Sequence, residues 1–148
     1  MTPLNIPLYL QDPDIGYCIP YALTGIAQYF GIRVSKSKMI KLCKATKSYG
    51  CYSPDQLQGV EKIGLKFERI KFKYQDIRKA LTRGFPVVLS YMAGNDPHFS
   101  TIIFARKEER GVFYILNDTL YGRFEIPGEL LEYLWKRDES WIRKVGPS

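Results

Sequence analysis

Four side chains in this sequence have the types that nucleophilic catalysis by a thiol can use: Gln11, Cys18, His98 and Asp118. Cys18 stands in QDPDIGYCIPYALTGIAQYFG, after a polar, turn-forming stretch and at the head of an apolar run. A thiol reacts as its thiolate, and the unpaired N–H groups and dipole at a helix N-terminus favour that anion. A base must take the thiol proton and a third group must orient the base. The chain has one histidine, His98, in Pro97-His98-Phe99-Ser100 at the head of an apolar segment. Asp118 follows Asn117 at the end of another, YILND, and adjacent antiparallel strands would set it beside His98. An oxyanion formed on the substrate needs donors; the backbone N–H of Cys18 is one and the Gln11 side-chain amide a second. Each residue also has a plainer reading. A cysteine opening an apolar helix is commonly core filling, a histidine beside a strand commonly structural, and Asn-Asp at a strand end commonly turn chemistry.

These residues need two kinds of element to hold them. Helical spacing of Ala22, Leu23, Ile26, Ala27 and Phe30 predicts a helix from Cys18 to Phe30, stopped by Gly31. Ser35 is read as the N-cap of a helix from about Lys36 to Cys43, and Ser53 as the N-cap of one from Pro54 to Ile63, with Gly64 at its end. From there strand patterns dominate: LKFERIKF, FPVVLSYM, HFSTIIFARKE, GVFYILND, RFEIP and SWIRKV, with turns at EERG and TLYG. Short helices are expected over Asp76–Thr82 and from about Gly128 to Trp135. Helices first and an antiparallel sheet after them is an α+β plan.

Composition bounds the rest. At 148 residues, 45% hydrophobic and 25% charged, the chain reads as one domain over 1–148, with a helical half at about 15–65 and a sheet half at about 66–145. No apolar run approaches the roughly 20 residues of a membrane span, and the N-terminal stretch lacks the pattern of a signal peptide. A cytoplasmic location is expected. The formal charge of +7 with 14% aromatic residues admits a nucleic-acid binder, but the Lys and Arg residues are scattered among apolar ones and no recognition motif is present, so no nucleic-acid partner is expected. Cys18, Cys43 and Cys51 lack the paired spacing of a metal site, so neither metal nor organic cofactor is expected; Cys43 and Cys51 are read either as a disulfide or as two thiols.

In family order, the segments Q-DPDIGY-C-IPYALTGIAQYFG, GCYSPDQLQGVEKIGLKFERI, GFPVVLSYMAGNDPHFSTIIF and YILNDTLYGRFEI resemble the bacteriocin-processing, double-glycine-leader peptidases, from about Leu8 to about Trp135. The resemblance implies a papain-like cysteine peptidase fold and a stand-alone peptidase acting on a peptide or protein substrate. It implies Cys18 as nucleophile, His98 as general base and later acid, Asp118 as the group orienting the imidazole, with Asn117 the lesser choice, and Gln11 as oxyanion donor. Tyr17-Cys18-Ile19, where the family often has Asp-Cys-Gly, also fits a catalytically silent peptide-binding module of the same fold. A Cys-dependent amidase or acyl transferase would use the same three groups.

Overall fold

The computed structural model describes residues 1–13, 15–46 and 57–148. Three helices come first: α1 (Cys18–Tyr29), α2 (Lys36–Leu42) and α3 (Gln58–Glu61). Then follow β1 (Leu65–Arg69), α4 (Tyr74–Thr82), β2 (Val87–Ala93), β3 (Asp96–Glu108), β4 (Gly111–Asp118), β5 (Gly122–Pro127), α5 (Gly128–Lys136) and β6 (Ile142–Pro147). The Ser53 cap, the Pro54 start of the third helix and the Cys43–Cys51 pairing involve positions outside the described residues.

The helix ends follow local chemistry. Gly31 takes a φ of +80° just past α1, where a side chain would be strained. The Ser35 Oγ accepts from the Lys38 N–H at 3.1 Å and caps α2. Strand β1 stops at Arg69, short of the expected Phe72, because the chain turns to enter α4 two residues earlier than Asp76.

All six strands form one antiparallel sheet in the order β1-β6-β2-β3-β4-β5. On one face α1 to α3 meet the sheet: Leu23, Ile26, Met39 and Val60 pack with Val88, Phe99, Ile103 and Val145. On the other, Ile77 and Leu81 of α4 and Leu131 of α5 pack with Leu89, Tyr91, Ile102 and Leu116. Residues His98–Ile103 of β3 are therefore buried on both faces, and this central strand shows continuous burial in place of alternation.

The N-terminal segment threads between α1 and the sheet. Leu4 N–H donates to the Ile103 carbonyl at 3.0 Å, Asn117 Nδ2 donates to the Ile6 carbonyl at 3.1 Å, and Gln11 N–H donates to the Thr119 carbonyl at 2.7 Å. It passes so near Gly25 that a Cβ there would lie 2.1 Å from the Pro7 carbonyl oxygen. Among the described residues no helix is long and apolar enough to cross a membrane.

Candidate active site

Cys18 is the first residue of α1. No side chain caps that terminus and no acidic residue stands in its first turn, so the first turn leaves the positive end of the helix dipole in place. The buried Leu23, Ile26 and Ala27 hold α1 against the sheet and so fix the height of its tip.

A register shift in β3 sets the other half of the site. Thr101 pairs with Asn117 and Ile102 with Leu116, yet Phe104 pairs with Ile115, so Ile103 is the extra residue of a β-bulge. Directly opposed residues share a face, and a one-residue slip would exchange the faces. The bulge brings Asp118 into line with Ser100, on the face that also carries His98 and its cross-strand partner Tyr91. The bulged carbonyl is the one that accepts from Leu4.

The carboxylate is enclosed and fully used. Asp118 has no exposed surface; its Oδ1 accepts from His98 Nε2 at 2.8 Å and from the backbone N–H groups of Leu120 and Tyr121, each at 2.9 Å. Its Oδ2 accepts from the Tyr91 hydroxyl at 2.7 Å and from Ser100 Oγ. Burial alone would raise the Asp118 pKa, but the hydrogen bond and charge of His98, then the two hydroxyls, bring it from 3.8 down to about 2.

With Nε2 bonded to Asp118, the imidazole has Nδ1 left for Cys18, which lies within hydrogen-bonding reach of the ring. Burial opposes the charged ring, but hydrogen bonds to Asp118 and Cys18 and the attraction of both outweigh it, raising the His98 pKa from 6.5 to about 9. Tyr91 and Tyr121 stand edge-on to the imidazole, with ring centres at 5.8 and 5.7 Å. Tyr91 is buried beneath it and Tyr121 is exposed. Burial, then the Asp118 charge, pushes the Tyr91 phenol well above its ordinary value, which keeps it a donor.

Gln11 sits beside this assembly. Its Oε1 accepts from Thr119 Oγ1 and its Nε2 donates to the Ile15 carbonyl at 2.6 Å, leaving the second hydrogen of the amide for another acceptor. Asn117 is turned elsewhere: its Oδ1 accepts from Arg123 Nε at 2.9 Å while its Nδ2 holds Ile6, so it serves the N-terminal segment. The structure thus brings Cys18, His98 and Asp118 into one chain of contacts and leaves Asn117 out of it. Sequence reasoning missed Tyr91, Ser100 and Thr119. The clue for Ser100 was its two-residue spacing from His98 on a strand; Tyr91 and Thr119 depend on pairings the sequence does not display. Among the described residues no group of three or more His, Cys, Asp or Glu side chains is arranged to hold a metal ion.

Helices on an antiparallel sheet, with a cysteine at the first helix tip and a histidine near the start of a central strand, make this a papain-like fold. The model of the Peptidase_C39-like family matches residues 3–136, and the chain belongs to that family. Three solved structures share the fold. One is a double glycine motif protease from an AMS/PCAT transporter, in complex with the leader peptide (18% identity, TM-score 0.71, covering 99% of this chain and 94% of that one). Another is the peptidase domain of Streptococcus ComA, a bifunctional ABC transporter of a quorum-sensing pathway (16%, 0.72, 97% and 100%). The third is a C39-like peptidase from Bacillus anthracis (17%, 0.74, 97% and 96%). No curated protein matches the chain at the sequence level.

Proposed function

We propose that this protein is a cysteine peptidase that cleaves a peptide bond through Cys18, His98 and Asp118. The observation that carries the proposal is the position of His98, held by Asp118 at 2.8 Å on one nitrogen and within reach of Cys18 with the rest of the ring. A pKa of about 9 favours the imidazolium at neutral pH, the form that can protonate a leaving amine.

The steps follow from that pairing. The Cys18 sulfur attacks the scissile carbonyl carbon, and the C=O electron pair moves onto oxygen. The Cys18 backbone N–H and the Gln11 amide, its carbonyl end fastened by Thr119, donate to that oxyanion. As the C–N bond breaks, His98 passes its proton to the leaving amine. A water then enters, His98 takes one of its protons, and the thioester is hydrolysed to free Cys18. Asp118 keeps the ring oriented and its positive form favoured throughout. The fold shared with a protease seen in complex with a leader peptide supports a peptide as substrate.

Alkylation tests this reading. Iodoacetamide should label Cys18 well ahead of Cys43 and Cys51, located by mass spectrometry, and His98→Ala should slow Cys18 labelling; equal labelling of all three would refute it. A second reading, a peptide-binding module without turnover, draws on Tyr17-Cys18-Ile19 and on the Gln11 amide's bond to Ile15. It predicts peptide binding with no acyl-enzyme.

A further inference from the structure

The rim of the sheet carries an unpaired positive charge that the peptidase chemistry does not use. Strands β1 and β6 pair antiparallel, and the register sets Arg69 directly opposite Arg143. Like charges in opposed positions repel. Alternation also denies them a partner: Glu68 points to the other face, where Lys66 and Lys144 hold it at 3.1 and 3.3 Å. Among the described residues neither Arg69 nor Arg143 makes an ion pair. Burial, and then the charge of Arg69, lowers the Arg143 pKa.

Both arginines line a cavity of about 690 Å³, together with Lys71, Lys73, Trp135 and Trp141. The Arg143 guanidinium lies over the Trp141 ring, 5.1 Å from its centre, and the Trp135 Nε1–H donates to the Trp141 carbonyl at 3.1 Å. That contact fixes one cation, and Trp135, packed against Phe72 with ring centres 4.9 Å apart, adds aromatic lining beside it. Two carboxylates also line the cavity; Glu132 has Lys136 at 3.6 Å, and four cations against two carboxylates leave a positive surplus. The cavity wall includes Ser140, whose φ of +56° is a conformation a serine adopts at a cost. The cavity lies apart from Cys18 but at the same end of the sheet: Trp141 packs on Phe99, the neighbour of His98, with ring centres 5.7 Å apart.

From the opposed Arg69–Arg143 pair beside stacked indole surface in one cavity, we infer a binding site for a small anion carried on a flat ring, a ring-bearing phosphate such as a nucleoside monophosphate. The Arg69 fork and the Arg143 nitrogens not donating to the Ile142 carbonyl take the phosphate oxygens, and the aromatic wall takes the ring. The site is independent of the peptidase reading and stands or falls without it.

The chain has two tryptophans, Trp135 and Trp141, and both line this cavity, so tryptophan fluorescence reports it directly. Adenosine monophosphate at low ionic strength should change the emission saturably. Adenosine and inorganic phosphate, each lacking one half of the recognised chemistry, should bind at least tenfold more weakly. The Arg69→Gln/Arg143→Gln variant should lose at least tenfold in affinity while its melting temperature holds or rises, since a repulsive pair has been removed. Should that variant fail to fold, Arg69→Lys/Arg143→Lys keeps the charge but not the forks and should bind several-fold more weakly than wild type, equal affinity overturning the role of the guanidiniums. No saturable change, equal binding of adenosine, or binding that survives loss of both guanidiniums would overturn the site.

Discussion

Replacing Asp118 by Asn isolates the charge that governs His98. The substitution keeps an oxygen for the three donors now on Oδ1, namely His98, Leu120 and Tyr121. It sets an NH2 against the Tyr91 and Ser100 hydroxyls, which can rotate to accept. The fold should therefore survive with a loss of about 1.5–3 kcal/mol, the size of a charged hydrogen bond. The effect on the ring is larger in kind. The Asp118 hydrogen bond is the largest upward influence on a pKa of about 9, ahead of the Cys18 hydrogen bond and the Asp118 charge, while burial pulls the other way. Without the carboxylate the midpoint should fall to the ordinary 6.5 or below. That change corresponds to about 3 kcal/mol, up to a few hundredfold in the proton affinity of the ring. With one histidine in the chain, a proton NMR titration shows a single imidazole signal to follow. Wild type should titrate near pH 9 and Asp118→Asn near or below 6.5, with Cys18 alkylation at pH 7 slowed in parallel. An unchanged midpoint in the variant would refute the electrostatic reasoning.

Stability should depend on pH through the same pair. His98 has its pKa raised on folding, so its contribution is complete below 6.5 and is lost as pH climbs to about 9, by at most about 3 kcal/mol in urea midpoints. Asp118 has its pKa lowered, so its share is present above 3.8 and lost as pH falls toward 2. Thr119→Val should weaken a peptide-aldehyde inhibitor, which forms an oxyanion, by at least tenfold while leaving the iodoacetamide rate at Cys18 unchanged, and Thr119→Ser should restore it; equal loss of both would show a merely structural role. Gly25→Ala should lower stability by about 1–3 kcal/mol, because its Cβ would meet the Pro7 carbonyl at 2.1 Å and displace the N-terminal segment; an unchanged melting curve would contradict that crossing.

Much of this arrangement was legible in the amino-acid pattern. The apolar spacing from Cys18 and the stop at Gly31 define α1, and β4 ends at Asp118 where its segment was drawn, while β3 starts at Asp96, two residues before the expected His98. Local pattern carries that information because capping and periodicity act over a few residues. What remained hidden depends on pairing. The bulge at Ile103 decides which face Asp118 takes, and no local feature of STIIFAR marks it, since both faces of β3 are buried. The placing of α4 and α5 on the second face, the hydroxyls of Tyr91 and Ser100 on the carboxylate, and the meeting of Arg69 with Arg143 all arise from contacts distant in sequence.

The central claim is that the Cys18 sulfur carries out acyl transfer with His98 as its proton partner. Mass spectrometry of the protein acid-quenched after mixing with a peptide ester tests it most directly. The account predicts an acyl adduct on Cys18 that forms and decays in wild type, and at least a hundredfold slower formation in His98→Ala. An adduct spread over Cys43 and Cys51, or formation on Cys18 indifferent to the loss of His98, would contradict it.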